Sequence, residues 1–395
     1  MTSVFKKDIV STFISLFIYN IYRMLEVYII QKTKRKILSF FFVLGVISVG
    51  LFSFLFLLPV HAETKITTLS LKNNINEARE SAPFTWSVPL SKDQNITDAT
   101  TLRLTKNGVN VPAQFISLAR WGGTPTDSTK PIMWVLVDAQ VNLGAGENAS
   151  FDLNVSTPQT VQSPLRITQN TAEKIIVDTG AAQFEISKTN FRFFDTVTLP
   201  SGKEFLGNGG IFLNNVLLSG PATVVVEHEG NERISLRVHG TLASGLQFTA
   251  RLHFYKNLSE VKVDFRVENL NKTQENSGQP NAAAYGTPGS VNFDDLSIRI
   301  PSLENKNYIV PTGELGAGVE KTGNFTSNIS VIQESSGDAN WNVMQSLSPR
   351  LQSGVTKKAS TLVIDGVKSD GPNQIAGWLD ANNVTIAVER AWTQT

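Results

Sequence analysis

The chain has 395 residues, and its 35 basic residues nearly balance 34 acidic ones, which gives a formal net charge of +1. This balance provides no overall field for nucleic acid or an anionic membrane, so no nucleic-acid partner is expected. The chain contains no cysteine, which excludes disulfides, cysteine-ligated metals and a thiol nucleophile.

Residues 32–62 have the pattern of an export segment. A basic cluster is followed by the apolar run at residues 37–60, and the segment ends on a small-x-small sequence at Ala62. The pattern predicts a signal peptide with cleavage after Ala62, and therefore a secreted or extracytoplasmic protein. The alternative is an uncleaved membrane anchor, since the apolar run is nearly long enough to span a bilayer, with the domains outside.

Residues 1–31 form an N-terminal extension to which no role is assigned. They include a second, weaker apolar segment that precedes Met24. Translation is expected to begin at Met24, and Met1 is the alternative start.

From residue 63 onward the pattern is that of an all-β protein. Short apolar or alternating runs recur between Gly, Asn, Pro and Ser residues, and no amphipathic helix of three turns is present. In residues 63–160 these runs follow one another at hairpin spacing, which predicts a small sheet or barrel. A stretch rich in Ser, Thr, Pro and Gln at residues 156–165 then breaks the pattern and is the predicted linker.

Residues 165–395 are predicted to form a larger antiparallel β-sandwich. Its clearest part is three consecutive strands at residues 233–240, 246–255 and 260–269, in which apolar and polar residues alternate. The polar segment at residues 269–290 is rich in Gly, Pro and Asn and predicts a long loop. Loops of this length within a compact domain are usually functional or mobile.

The polar positions of these three strands carry the candidate binding residues. If the strands pair in sequence order, five basic residues share one face of the sheet. Guanidinium groups there suit the carboxylates of an acidic sugar, because they donate bidentate, charge-assisted hydrogen bonds to a planar anion. The alternative is a solvated face whose charges pair across strands, with Asp264 among the partners. The five residues are Arg237, His239, Arg251, His253 and Arg266.

Two tryptophans flank a loop of Gly, Thr, Pro, Asp and Ser. Trp121 lies beside Gly122 and Gly123 and is a candidate for stacking on a sugar, with burial at a strand end as the alternative. Trp134 lies within an apolar run and is predicted to pack in the core. Trp121 therefore joins the candidate substrate-binding residues.

The motifs of common hydrolases, metalloproteases and nucleotide-binding proteins are missing from the sequence. Asp294 and Asp295 are adjacent, so in a strand their side chains point to opposite faces and do not form an acid/base pair. No ligand loop accompanies them to supply the about six to eight oxygens that Ca²⁺ takes. The sequence therefore predicts no cofactor and no metal site, and it identifies no catalytic residue.

Several short motifs occur in a recognisable order between residues 84 and 140. They are Val88-Pro89-Leu90, Asn107-Gly108, Val111-Pro112-Ala113-Gln114, Ala119-Arg120-Trp121 and Trp134-Val135-Leu136-Val137-Asp138. Together they resemble the N-terminal RIFT-barrel domain of the exo-rhamnogalacturonan lyase and YetA-like family. The loop after the fourth motif is longer than the short turn usual in that family.

The later part of the chain resembles the central β-sandwich domain of the same family, in segments at residues 177–188, 224–242, 248–269 and 291–301. The resemblance implies a specific all-β fold class. A small N-terminal RIFT-type β-barrel would be followed by a larger antiparallel β-sandwich, after the N-terminal signal or anchor segment.

The resemblance also implies a function. In the family an α/α toroid follows the sandwich and usually supplies the proton-abstracting Tyr or His of a polysaccharide lyase. We expect no such toroid within these 395 residues, and therefore the non-catalytic front part of a lyase-like protein, inactive alone. The expected partners are an acidic polysaccharide such as rhamnogalacturonan and a separately encoded toroid. The alternative is a stand-alone extracellular carbohydrate-binding or cell-surface module without enzyme activity.

Overall fold

The structure is a computed structural model. It describes residues 64–158, 162–202, 204–206, 209–218, 220–242, 245–270, 291, 296–299, 307–313, 318–333, 360–371, 376–381 and 384–388. Three features of the sequence lie outside these described residues: the signal or anchor segment at 32–62, most of the loop at 269–290, and the pair Asp294 and Asp295. Within the described residues, no helix has the length and apolar character needed to cross a membrane.

The described part of the chain is all-β, as predicted, with two short 3-10 helices at Lys92–Gln94 and Ala99–Thr101. Seven of the described strands lie in the first part of the chain. They are β1 (Thr64–Lys72), β2 (Arg79–Pro89), β3 (Leu102–Lys106), β4 (Val109–Val111), β5 (Ala113–Arg120), β6 (Ile132–Leu143) and β7 (Asn148–Val155).

Twelve further described strands follow in the middle of the chain. They are β8 (Arg166–Asn170), β9 (Lys174–Asp178), β10 (Gln183–Ser187), β11 (Thr196–Thr198), β12 (Glu204–Leu206), β13 (Gly210–Leu213), β14 (Val216–Leu218), β15 (Thr223–His228), β16 (Arg233–Thr241), β17 (Leu246–Tyr255), β18 (Val261–Asn269) and β19 (Leu296–Arg299).

The last described strands form two further small sheets, in the orders β21-β20-β25-β26 and β22-β23-β24. Tyr308, Val310, Phe325 and Leu362 are buried together there in a separate core cluster. These strands are β20 (Asn307–Pro311), β21 (Glu320–Asn324), β22 (Ile329–Gln333), β23 (Ser360–Ile364), β24 (Val367–Asp370), β25 (Trp378–Ala381) and β26 (Val384–Ala387).

The larger of two compact units in the chain comprises Thr67–Leu153 and Pro158–Thr395, and the contacts discussed below lie within it. We call residues 67–153 the front region and residues 162–299 the rear region. The boundary predicted between the domains 63–160 and 165–395 stays a prediction.

The front region contains a three-stranded sheet in the order β2-β6-β5, and its strands also contribute to a four-stranded sheet in the order β1-β7-β3-β4. Strand β6 is central in the first sheet and is almost continuously apolar. Val135 and Val137 on one of its faces are fully buried, and Leu136 and Asp138 on the other face are buried as well. A strand covered on both faces explains why this run lacks the alternation of a half-exposed strand.

The rear region is sandwich-like. A five-stranded sheet, β12-β11-β10-β9-β8, and a four-stranded sheet, β15-β16-β17-β18, contribute to one buried core. Phe184 on β10 lies against Phe254 on β17, with ring centroids 5.3 Å apart. Ile186, Leu236 and Leu252 are fully buried in the same core. Alternation along β16 and β17 places their apolar side chains here and their polar side chains on the opposite face.

The three strands singled out in the sequence pair antiparallel and in sequence order, so the condition for a shared basic face is met. Arg237 on β16 is opposite Arg251 on β17, which is opposite Asp264 on β18. Two residues further along β16, His239 is opposite Thr249, which is opposite Arg266 on β18. The five candidate residues therefore share one face of the four-stranded sheet.

The prediction that Trp134 packs in the core is wrong, because this residue is 39% exposed. It does lie in the predicted strand, opposite Pro89 on β2 and Ala119 on β5. The side chain of Ala119 is too short to cover an indole ring. The alternation rule identified the strand but not how far its first residues are covered.

Candidate functional site

The exposed end of the four-stranded sheet face forms an open cleft of about 380 Å³. Three arginines from three neighbouring strands line it, together with two carboxylates. We call it the arginine cleft. Its lining residues are Arg237, Thr249, Arg251, Asp264, Phe265, Arg266 and Glu268.

Glu227 bridges two of these arginines. The Nε of Arg251 donates to Oε2 of Glu227 at 2.8 Å, and Nη2 of Arg251 donates to Oε1 at 3.2 Å. The Nε of Arg237 lies 3.2 Å from the same Oε1. Burial alone would raise the pKa of the Glu227 carboxyl, but the hydrogen bonds from Arg251 and the charges of both arginines outweigh it and lower the pKa.

The third arginine has a different carboxylate. Arg266 is 77% exposed, and its Nε lies 3.1 Å from Oε1 of Glu268. Asp264 pairs more loosely with Lys262, at 3.6 Å. Exposed pairs of this kind each stabilise a protein by about 0–1 kcal/mol, so their carboxylates are readily exchanged for other anions.

The other end of the same sheet face is covered by the front region. Arg233, at the start of β16, lies with its Nη2 3.1 Å from Oδ2 of Asp138 on β6, and both side chains are buried. The hydroxyl of Thr85 on β2 donates to Oδ1 of the same aspartate at 2.7 Å. This buried ion pair joins the front region to the rear region.

Further polar contacts reinforce this junction. The side-chain carbonyl of Gln114 on β5 accepts hydrogen bonds from the backbone amides of Glu232 and Arg233 at 3.1 and 3.0 Å. The Lys256 ammonium donates to the buried carboxylate of Glu232 at 2.6 Å, and Gln140 donates to the backbone carbonyl of Lys256 at 2.9 Å. These side chains hold β6 and β5 of the front region against the base of β16 and β17.

His253 differs from its predicted position on an open polar face, since it is only 8% exposed. Its Nδ1 lies 2.8 Å from the Ser235 hydroxyl and 3.4 Å from Nη1 of Arg233, and its Nε2 lies 3.0 Å from Oδ2 of Asp264. A neutral ring protonated at Nε2 satisfies all three partners. The pairing with Arg233, which is held against the front region, explains the burial that strand alternation did not predict.

Ser235, His253 and Asp264 contain the three residue types of a hydrolase triad, but they are not arranged for nucleophilic attack. Ser235 is fully buried, whereas a nucleophile must reach its substrate. The geometry instead suits a structural role, in which the histidine links the buried Arg233 to Asp264 at the arginine cleft.

The remaining candidate residues do not line the arginine cleft. His239 is half-buried, and its Nδ1 lies 3.5 Å from the hydroxyl of Thr249. Trp121 is 38% exposed at the end of β5, and its ring nitrogen donates to the backbone carbonyl of Leu90 at 3.1 Å. The structure thus brings Arg237, Arg251 and Arg266 together and leaves these two side chains, like His253, outside the cleft.

The long loop after Trp121 is fixed by the preceding arginine. Arg120 donates to the backbone carbonyls of Thr97, Pro125 and Lys130, each at 2.7 Å. The backbone amide of Trp121 donates to the carbonyl of Pro131 at 2.9 Å. This loop is therefore an ordered corner of the front region.

The described ranges contain no group of three or more His, Cys, Asp or Glu side chains suited to hold a metal ion. Asp294 and Asp295 lie outside those ranges.

His253, which is buried, and His228, which is half-buried, make the stability of the protein sensitive to pH. Burial and the charge of Arg233 lower the pKa of His253 and of His228 below 6.5. A lowered pKa in the folded state means that the unfolded chain binds more protons, so stability is complete above about pH 6.5 and falls as the pH decreases toward the folded-state pKa.

We therefore expect a lower urea midpoint at about pH 5.5 than at about pH 7.5. In the variant with both His228→Gln and His253→Gln, the difference between the two urea midpoints should be smaller. The variant keeps all the carboxylates, so their titration contributes equally in both proteins. An equal pH dependence in both proteins would contradict the assignment.

Sequence reasoning missed the residues that organise the site. No role was predicted for Glu227, Arg233 or Ser235, although all three lie on or beside the strands that were singled out. Asp138 offered a signal, because a charged residue within an apolar strand is rarely buried unless it is paired. Its partner, Arg233, lies 95 positions away in the sequence, and strand alternation carries no information about such a contact.

Comparison of the sequence with protein-family models and with curated proteins gives no match.

Proposed function

We propose that this chain is the exported, non-catalytic front part of a polysaccharide-lyase-like protein, built from a RIFT-type β-barrel and a β-sandwich. In this proposal the arginine cleft binds an acidic polysaccharide such as rhamnogalacturonan. The supporting observation is the convergence of Arg237, Arg251 and Arg266 from three adjacent strands on one open cleft. Guanidinium groups held on a rigid sheet are suited to the repeated planar carboxylates of a uronate-containing chain.

A stand-alone extracellular carbohydrate-binding module is the alternative, and it uses the same cleft. The choice between the two depends on whether a separately encoded toroid works with this chain. Binding of the acidic polysaccharide is common to both, so it is the property to test first.

The test removes the three guanidinium groups together. With Arg237, Arg251 and Arg266 all changed to Ala, we expect retention on a column of immobilised rhamnogalacturonan to be lost, with at least about a tenfold decrease in affinity. The control variant changes the exposed residues Arg79, Lys92 and Arg166 to Ala, which removes the same positive charge from elsewhere on the surface.

The control is expected to be retained like the wild type. Equal retention of the cleft variant and the wild type would exclude the cleft as the binding site. An equal loss in both variants would indicate attraction by net charge alone.

A further inference from the structure

A carboxylate beside the arginine cleft, that of Glu227, already pairs with two of the arginines that line it. Glu227 engages two of the arginines, and its contacts with Arg251 have the bidentate form in which a guanidinium binds a free carboxylate. An incoming uronate that engages Arg251 through Nε and Nη2 competes with Glu227 for the same donor edge.

The local backbone explains how Glu227 reaches this position. The register of β15 against β16 shifts between Val226, which is opposite Leu236, and His228, which is opposite Ser235. Glu227 is the extra residue of this β-bulge. Bulges redirect a side chain without changing the rest of a sheet, and this one places a carboxylate on the arginines.

The positive and negative charges around the cleft are nearly balanced. Arg237, Arg251 and Arg266 are met by three nearby carboxylates, those of Glu227, Asp264 and Glu268. A weakly charged ligand gains little by entering such a balanced site. A polymer that presents several carboxylates can replace Glu227 on Arg251 while contacting Arg266 as well.

We propose that Glu227 is an internal competitor for the ligand carboxylate and restricts the arginine cleft to polyanionic saccharides. This inference rests on the proposed function, because it assigns the regulation of the same site. Its consequence is that removing the Glu227 charge strengthens binding, whereas the loss of a merely structural residue would weaken it.

The experiment compares the full wild-type chain with Glu227→Gln and Glu227→Ala by titration with polygalacturonate at low salt. We expect both variants to bind about tenfold more tightly, the effect of freeing about one charge-assisted hydrogen bond. The matched control is Glu229→Gln, which removes the same charge from an exposed residue two positions away and is expected to leave the affinity unchanged. Circular dichroism and thermal unfolding confirm that each variant is folded.

The outcomes separate the two proposals. Tighter binding by both Glu227 variants, including binding that the wild type lacks, supports the inference. If the wild type binds and the Glu227 variants bind with equal or lower affinity, the inference is overturned and the proposed function is left intact. Absence of binding by the wild type and the variants overturns both, and a similar gain in Glu229→Gln shows an effect of net charge and overturns the inference.

Discussion

Replacing Arg233 by Ala is expected to lower the free energy of unfolding by about 3–5 kcal/mol. The substitution leaves the buried carboxylate of Asp138 without its positive partner, which lies 3.1 Å away in the intact protein. An uncompensated charge in a buried position is strongly unfavourable, because the protein interior cannot replace the water it lost. Urea unfolding followed by tryptophan fluorescence measures the loss.

A surface ion pair supplies the matched control. Lys174 lies 2.8 Å from Glu185, with about a third of each side chain exposed, and Lys174→Ala is expected to cost about 0–1 kcal/mol. The double variant with Asp138→Leu and Arg233→Met should lose less stability than Arg233→Ala, because no charge is then left buried. A loss in Arg233→Ala no larger than in Lys174→Ala would contradict the assignment of a buried ion pair at this junction.

The second large effect is expected in the core of the rear region. Phe254 on β17 is fully buried and lies against Phe184, with Phe194 packed at its edge. Phe254→Ala would leave a cavity that the rigid sheets fill only in part, and we expect a loss of about 3–5 kcal/mol in the free energy of unfolding. Phe254→Leu keeps most of the buried apolar volume and should cost about 1–1.5 kcal/mol.

This prediction also concerns the arginine cleft, because Phe254 follows His253 and lies three residues after Arg251 on the same strand. In conditions where Phe254→Leu remains folded, its affinity for rhamnogalacturonan should match that of the wild type. Equal stability of Phe254→Ala and the wild type would show that the ring is not in a close-packed core.

Much of the architecture could be predicted from the sequence. Strand β17 has the predicted limits, and β16 and β18 differ from theirs by one residue, because alternation of apolar and polar residues is strong along all three. The shared face of Arg237, Arg251 and Arg266 followed from pairing in sequence order, which short connections between antiparallel strands favour. The all-β class rested on the same local patterns.

The unpredicted features have long-range or irregular causes. His253 and Arg237 occupy equivalent positions in the alternation, yet His253 is buried through Arg233, and the front region contacts Arg233 but leaves Arg237 exposed. Glu227 acts on the arginines because of a β-bulge, and a bulge breaks the alternation from which strand faces are inferred. Trp134 is partly exposed because of its cross-strand neighbours, whose identity depends on register.

The proposed binding of an acidic polysaccharide by the arginine cleft is tested most directly by calorimetric titration with rhamnogalacturonan before and after chemical reduction of its carboxyl groups. Reduction keeps the sugar backbone and removes the charges that guanidinium groups recognise. We expect the wild-type chain to bind the native polymer, to bind the reduced polymer at least about tenfold more weakly, and to lose the difference when Arg237, Arg251 and Arg266 are all changed to Ala. Equal affinity of the wild type for both polymers, or no binding of either, would contradict the proposed function.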